Sequence, residues 1–262
     1  MKLPIYQVDA FTDHLFAGNP ASVVPIEGPW PGDDILQKIA IENNQAETAF
    51  FKQEEEGYAL RWFTPIFEID LCGHATLASA HVLINHLGYQ QETIKFQTMS
   101  GELIVTHRDD LLQLDFPSRK PTASSMSEEH LGAFNIQPLE VLKSRDYFLV
   151  FNSEAEVRAL KVNPNQLDVD DFGKGGIICT AKGDGVDFVS RFFLPGATIF
   201  EDPVTGSAHC SLIPYWSEKL GKKELIAYQL SERKGYLTCE DQGDRVLIAG
   251  KAVTYMKGEI DV

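Results

Sequence analysis

The chain has 262 residues, 44% of them hydrophobic, which is enough to bury the core of one large domain or of two domains of about 100–150 residues each. Its net charge of −15 argues against a surface that binds nucleic acid or an anionic membrane. No apolar run approaches the roughly 20 residues of a membrane span, and the first residues lack the apolar region of a signal peptide. We therefore expect a cytoplasmic protein with no nucleic-acid or membrane partner.

The first half of the chain predicts strands around two helices. Residues 5–11 and 21–25 read as strands, and Asp33 with Asp34 begins a helix that ends near Asn43. A strand at 58–64 is followed by a loop and by a helix over residues 77–87, which stops at Gly88. Three further strands are predicted at 93–98, 101–107 and 111–115.

The second half begins after a proline-bounded stretch at residues 117–121, which predicts a linker. We therefore place the N-terminal domain at residues 1–117 and the C-terminal domain at 118–262, and we leave open whether the final strand returns to the first half. A helix opens at Gly206, runs to Leu220 and is stopped by Gly221. Shorter elements are predicted before it, and strands at 225–231, 236–240 and 245–256 follow it.

The two halves repeat a set of residues in the same order. RWFTP at residues 61–65 parallels RFFLP at 191–195, and CGHA at 72–75 parallels TGSA at 205–208 after a short insertion. A Leu-Gly helix stop follows at the same offset in both halves, at 87–88 and 220–221. An aromatic-Gln pair follows, at 96–97 and at 228–229. The prolines and glycines that end strands and helices at matching positions predict a tandem duplication of one α+β unit.

Such a duplication predicts a ligand site in the cleft between its two halves. Each half would send a helix N-terminus into the cleft, at Gly73 and at Gly206. Two positive helix ends can hold a carboxylate or stabilise an enolate-like charge, each contributing up to about 2 kcal/mol. Glu47 and Asp202 would then act as acid and base from the two halves. Taken alone, each motif also fits a capped helix or a solvated strand entry, and the repetition favours the functional interpretation.

Four motifs resemble those of the PhzF (phenazine biosynthesis-like) family. They are GNP at residues 18–20, ETAF at 47–50, CGHAT at 72–76 and EDPVTGSA at 201–208. The resemblance covers essentially the whole chain. It implies the diaminopimelate epimerase-like fold, a tandem pseudo-symmetric α+β arrangement in which each half is a barrel of strands around a central helix. It also implies an isomerase that needs no cofactor and forms a homodimer.

The same resemblance assigns catalytic residues. Glu47 matches the family's principal proton-transfer carboxylate, Asp202 matches a second acid, and His74 lines the site. The best-known member moves a proton around the ring of a hydroxylated dihydroanthranilate. We expect Glu47 to take a proton from carbon and return it elsewhere on a small carboxylate-bearing substrate, while Asp202 and His74 position that substrate.

The resemblance also implies a set of substrate-binding residues. His74 and Ser207 match residues that contact substrate, and the amides of Gly73 and Gly206 would hold its oxygens. Asn19 lies in the loop after the first strand, which borders the site in this fold.

Two alternatives to carboxylate-mediated isomerisation remain open. Racemases and epimerases of the same fold use a pair of cysteines, one at each helix start. Here Cys72 occupies the first position but Thr205 the second, and a threonine hydroxyl is a poor partner in a two-thiol mechanism. We interpret Cys72 as a small packed side chain. A non-catalytic protein that binds small carboxylates is the other alternative, although binding alone would not require two acids near His74.

The sequence predicts no metal site. His81 and His86 follow His74 on the predicted helix, and no carboxylate or cysteine is spaced to join them as a ligand. The four cysteines are far apart and contain no CxxC pair, so they predict neither a zinc knuckle nor a disulfide framework.

Overall fold

A computed structural model describes residues 1–173 and 175–262 of the chain. The chain divides into two compact units, the first made of Met1–Asp115 with Ile248–Val262 and the second of Phe116–Leu247. Among the described residues, no helix combines the length and the apolar composition that a membrane crossing needs.

The first unit contains strands wrapped around one buried helix. Its helices are α1 (Asp33–Asn43) and α2 (Gly73–His86). Its strands are β1 (Lys2–Ala10), β2 (Asn19–Pro25), β3 (Glu47–Glu54), β4 (Gly57–Phe63), β5 (Glu68–Ile69), β6 (Thr93–Thr98), β7 (Gly101–Arg108), β8 (Leu111–Pro117), which continues past the end of the unit, and the last strand of the chain, β18 (Ala252–Asp261).

The strand order of the first unit mixes parallel and antiparallel pairs. β1 lies between β18 and β2 and is antiparallel to both. β2 runs parallel to β3, β3 is antiparallel to β4, and β4 runs parallel to β6. The parallel pairs require crossover connections. Helix α1 forms the connection from β2 to β3, and α2 lies on the connection from β4 to β6.

Helix α2 is the centre of the first unit. Every residue from 73 to 80 is buried, together with Val82 and Leu83. The helix packs against β1, β2, β3 and β18. A helix that is apolar on all sides is expected where strands surround it, and Ala75, Ala78 and Ala80 let those strands approach closely.

The second unit also contains strands and one long helix, with more short helices than the first unit. Its helices are α3 (Glu128–Leu131), α4 (Glu154–Ala159), α5 (Val169–Phe172) and α6 (Gly206–Leu220), with a short 3-10 turn at Pro164–Gln166. Its strands are β9 (Thr122–Ala123), β10 (Glu140–Lys143), β11 (Tyr147–Val150), β12 (Ile177–Lys182), β13 (Phe188–Phe193), β14 (Glu201–Asp202), β15 (Glu224–Gln229), β16 (Gly235–Asp241) and β17 (Arg245–Gly250), which ends beyond the unit boundary.

The strand pairing of the second unit repeats that of the first. β10 is antiparallel to β11, β11 runs parallel to β12, β12 is antiparallel to β13, and β13 runs parallel to β15. Helix α6 takes the place of α2 and is buried over most of its length. It ends at Leu220, and the φ of 66° at the C-cap residue Gly221 lies in the left-handed region that glycine adopts readily.

The strand registers give a residue-by-residue match between the two units. Phe50 pairs with Arg61 in the first unit, and Cys179 pairs with Arg191 in the second. Counting back three residues along each strand, Gly176 corresponds to Glu47. The predicted match of Phe96 with Tyr228 is wrong by one residue, because Tyr58 pairs with Phe96 where Phe188 pairs with Ala227.

The prediction of one strand over residues 245–256 is also wrong. The structure has two strands, β17 and β18, separated at Lys251. The carbonyl of Lys251 accepts a hydrogen bond from the amide of Thr12 at 3.1 Å, and the ladder with β1 begins at the next residue. Gly250 lies against Phe11, and a Cβ there would come 2.6 Å from the Phe11 ring, so this bend excludes larger residues.

Candidate active site

The start of α2 carries a group of polar side chains in the first unit. Because β2 and β3 run parallel and begin at Asn19 and Glu47, both residues lie at the same edge of the strands. Helix α2 packs against both strands and begins at that edge, with Cys72 as its N-cap residue. Four of the predicted site residues, Asn19, Glu47, Gly73 and His74, therefore belong to one site.

His74 is the centre of this group. Its side chain is 5% exposed, and its Nε2 lies 3.2 Å from Oε2 of Glu47. On the other side of the ring, Nδ1 lies 3.1 Å from Nδ2 of Asn19 and 3.5 Å from Sγ of Cys72. The four residues thus form one continuous cluster, with His74 between the carboxylate and the thiol.

Burial and charge act in opposite directions on His74. Burial lowers the pKa of His74, but Cys72 and Glu47 raise it by more, so the net pKa lies well above its ordinary value. Burial also raises the pKa of the Cys72 thiol, the charge of Glu47 adds to this, and His74 opposes it. The charges of Cys72 and of Glu47 therefore both favour the protonated form of His74.

Oε2 of Glu47 and Nε2 of His74 are buried atoms of this cluster that form an ion pair with each other. They are not oriented for a hydrogen bond, and neither atom makes a hydrogen bond to any described residue. Buried polar atoms are normally satisfied, so an unsatisfied pair calls for an explanation. A polar group of a substrate that contacts both atoms would supply the missing hydrogen bonds.

The cluster also has the donors of a metal site. One ligand atom from each of Glu47, Cys72 and His74 lies within 4.8 Å of the others. Carboxylate, thiolate and imidazole are the ligands that proteins offer to zinc. Spacing along the chain could not indicate this set, because Glu47 reaches the other two residues only through the packing of β3 on α2. The absence of a metal from the reaction stays a prediction.

The second unit holds Asp202 in a network of hydrogen bonds. Oγ1 of Thr205 donates to Oδ2 of Asp202 at 2.5 Å. Gln229, which is fully buried, donates from Nε2 to the carbonyl of Asp202 at 2.8 Å and to Oγ1 of Thr205 at 3.1 Å. Its Oε1 accepts from the amide of Thr205 at 2.8 Å. Sequence reasoning missed Gln229, whose position in the repeat was its only signal.

The remaining two predicted residues, Gly206 and Ser207, form the first turn of α6. The N-cap residue Thr205 directs its hydroxyl to Asp202 and does not cap the helix. His209, one turn further on, is fully buried and donates from Nδ1 to the carbonyl of Thr205 at 2.8 Å. Burial lowers the pKa of His209 to about 4, so this side chain stays neutral and serves to pack the helix start.

Comparison with known proteins identifies the family. The sequence profile of the family described as "Phenazine biosynthesis-like protein" (PhzC-PhzF) matches residues 8–258. The chain belongs to this family. A Pseudomonas aeruginosa protein named as an uncharacterized isomerase is 47% identical over 260 residues, covering 99% of both chains. This relationship supports a general isomerase role for PhzC-PhzF proteins of this kind.

Solved structures confirm the predicted fold. The crystal structure of a PhzF family protein from Enterococcus faecalis is 46% identical, covers 100% of both chains and superposes with a TM-score of 0.95. A hydroxyproline epimerase from Agrobacterium vitis superposes with a TM-score of 0.64 at 9% identity, over 99% of this chain and 92% of its own. At this low identity, the likeness shows only that the two proteins share a fold. That fold is therefore found in PhzF proteins and in an epimerase.

Proposed function

We propose that this protein is a cofactor-independent isomerase, which moves a proton between two carbon atoms of a small carboxylate-bearing molecule and uses Glu47 as acid and base. The observation that carries the proposal is the ion pair between the buried Oε2 of Glu47 and Nε2 of His74, whose pKa is raised well above its ordinary value. A carboxylate that has one oxygen shielded from water and without a hydrogen bond is suited to accept a proton from substrate.

The proposed reaction needs neither an oxidant nor a reductant. Glu47 takes a proton from a carbon next to an unsaturated group, and the electron pair of the C–H bond enters that group to give an enolate-like anion. Protonated Glu47 then returns the proton to a different carbon of the same system. The double bond moves, the carboxylate is regenerated, and product and substrate have the same atoms and charge.

His74 and the start of α2 would stabilise the charges of this reaction. The imidazolium offsets the charge of Glu47 before proton transfer, and the helix N-terminus at Gly73 favours negative charge on substrate oxygens. Asn19, beside Nδ1 of His74, would fix the orientation of the ring. In this proposal the second unit contributes Asp202, with Gly206 and Ser207 as further substrate-binding groups.

Deuterium incorporation tests the proposal. The protein is incubated in D2O with a set of small cyclic and acyclic carboxylates, hydroxy acids and amino acids, and exchange at carbon is followed by NMR and mass spectrometry. For any compound that exchanges, Glu47→Gln should slow the exchange by about 10²–10⁴-fold, the range for loss of general acid–base catalysis. Glu55→Gln, the same change at an exposed turn, is the matched control and should retain the wild-type rate.

The alternatives predict different outcomes. A protein that only binds carboxylates would bind a compound of this set without exchange at carbon. A racemase would exchange the proton at a stereocentre and invert it, and the one observation in its favour is the contact between Cys72 and His74. The raised pKa of Cys72 and the engagement of the Thr205 hydroxyl by Asp202 both disfavour a two-base thiol mechanism.

The proposed enzyme acts as a homodimer, as the family resemblance implies. Light scattering coupled to size-exclusion chromatography measures the mass directly. A mass near twice 29.2 kDa is expected, and a mass near 29.2 kDa would contradict the dimer without affecting the proposed chemistry.

A further inference from the structure

The match between the two units shows what the second unit carries in place of the Glu47 cluster. Glu47 pairs with Ala21 across β2 and β3. Counted from the equivalent pair of Leu149 with Cys179, the corresponding residues of the second unit are Gly176 and Asp146. The second unit therefore has an acid, Asp146, at the position of Ala21, and a glycine, Gly176, at the position of Glu47.

Asp146 does not occupy the role of Glu47, because its carboxylate is fully engaged. Its side chain is 2% exposed, Oδ1 accepts from the amide of Gly176 at 2.8 Å, and both oxygens accept from Arg145. Nε of Arg145 lies 3.1 Å from each oxygen, and Nη2 lies 2.9 Å from Oδ2. A buried carboxylate that accepts hydrogen bonds from Nε and Nη2 of an arginine fixes the orientation of the whole guanidinium.

The oriented end of Arg145 points to the start of α6. Nη2 donates to Oγ of Ser207 at 3.0 Å, so the guanidinium lies beside the first turn of that helix. The side chain remains 35% exposed, and Nη1 makes no hydrogen bond to any described residue. In the match between the two units, Ser144 corresponds to Asn19 and Ser207 corresponds to His74. Arg145 immediately follows Ser144.

A second positive charge lies near the same turn. Nη1 of Arg119 is buried and has no hydrogen-bond partner among the described residues. The amide of Arg119 donates to the carbonyl of Cys210 at 2.8 Å, so Arg119 lies beside the first turns of α6. A buried guanidinium nitrogen without an acceptor, near the helix start that Arg145 contacts, is an arrangement that an anion would complete.

We propose that Arg145, positioned by Asp146, is the residue that binds the substrate carboxylate, together with Ser207 and the first-turn amides of α6. This inference rests on the proposed function and names the group that recognises its substrate class. Arg145 acts as a specificity residue and Asp146 as a positioning residue.

Binding of a charged probe and of its neutral counterpart tests the assignment. Anthranilate and anthranilamide are titrated into the protein by calorimetry, up to high millimolar concentration. The wild-type protein should prefer anthranilate, and Arg145→Gln should weaken anthranilate binding by about 10-fold to 100-fold, the value of a charge-assisted hydrogen bond, while leaving the affinity for anthranilamide unchanged. Arg145→Lys keeps the positive charge but loses the paired donors of the guanidinium, so it should retain part of the preference for anthranilate over anthranilamide.

The ratio of the two affinities separates recognition from folding. A purely structural role for Arg145 would reduce the affinity for both probes equally and leave the ratio unchanged. Asp146→Asn should lower the ratio, because the guanidinium is no longer oriented. Arg158→Gln removes the same charge from a partly buried ion pair of the same unit and should leave the ratio unchanged.

The results also separate this inference from the proposed chemistry. Glu47→Gln should bind anthranilate with the wild-type preference even though it loses exchange. If the wild-type protein prefers anthranilate to anthranilamide but catalyses no exchange at carbon, the proposed function is wrong and the anion site is still supported. Equal affinities for the two probes, no saturable anthranilate binding, or an unchanged ratio in Arg145→Gln would each overturn the assignment of Arg145.

Discussion

Arg191 holds Glu201 with two parallel hydrogen bonds, from Nε to Oε1 at 2.7 Å and from Nη2 to Oε2 at 2.8 Å. Arg61 holds Glu68 in the same way in the first unit, at 2.6 and 2.7 Å. In both units the guanidinium also lies over the phenylalanine ring two residues further along the strand. Each clamp fixes the short strand, β5 or β14, that leads into the buried helix, and Asp202 directly follows the second clamp.

Replacing Arg191 by lysine should destabilise the protein, because lysine cannot make the two-pronged contact. The side chains of Arg191 and Glu201 are only 14% and 25% exposed, and Arg191 also donates to the carbonyls of Val157 and Leu160. We expect a loss of about 1.5–3 kcal/mol in the free energy of unfolding, measured with urea.

Arg61→Lys should show a loss of similar size if the two clamps are equivalent. Arg158→Lys, whose side chain is 47% exposed, should cost under about 1 kcal/mol. A loss in Arg191→Lys no greater than that of Arg158→Lys would show that the clamp does not support the fold.

Gln229 should be essential to the geometry of Asp202. Gln229→Leu has a similar volume but leaves the amide of Thr205 and the carbonyl of Asp202 without their partners. Because each unsatisfied buried group costs about 1–3 kcal/mol, we expect a clear fall in the urea midpoint and slower deuterium exchange into substrate. Gln53→Leu, at an exposed position, serves as the control. Wild-type stability in Gln229→Leu would contradict the network.

Elements with strong local signals were predictable from the sequence. The end of α6 at Leu220 follows from the glycine after it, and the repeated Arg-aromatic-Phe pattern located both units. The two-residue strands β5 and β14 were missed, because so short a strand has no periodicity. The break at Lys251 depends on a contact with Thr12, more than two hundred residues away, and no local pattern encodes it.

In the candidate site, too, local motifs indicated some residues, whereas the contacts between residues depend on long-range packing. Glu47 and His74 stand in recognisable motifs, so their residue types indicated the chemistry. The contact between them requires β3 to pack on α2, and its distance could not be predicted. Gln229 and Arg145 reach the start of α6 only through the fold of the second unit. Their roles depend on long-range pairing, which sequence periodicity does not report.

The charge of His74 predicts a pH dependence of stability. The pKa of His74 in the folded protein is raised above the value of about 6.5 expected for the unfolded chain. Its contribution to stability is therefore fully present below about pH 6.5 and is lost as the pH rises through the folded-state pKa. The difference in unfolding free energy between the wild type and His74→Gln should shrink as the pH is raised from about 6.5.

Comparing the two proteins isolates His74. His81 and His209, whose pKa values are both lowered to about 4, are present in each and cancel in the difference. Urea unfolding at a series of pH values provides the measurement. A difference that stays constant or grows with pH would show that His74 is not held as an imidazolium.

Cys72 should prove unnecessary for proton transfer. Burial raises the pKa of its thiol, so little thiolate is present near neutral pH, and we expect slow alkylation by iodoacetamide in the native state. Cys72→Ala should keep most of the exchange rate, measured by NMR in D2O. A loss as large as that of Glu47→Gln would assign the proton transfer to the thiol.

The glycine at position 176 has a stereochemical consequence. With Gly176 in the place of Glu47 and the Asp202 carboxylate engaged by Thr205, one carboxylate performs both steps of the proposed reaction. A single base reaches one face of the carbon skeleton, so the migration is suprafacial. Because the same proton can return before it exchanges with water, substrate deuterated at the donor carbon should pass part of its label to the product. Complete washout of the label, or transfer to the opposite face, would require a second base.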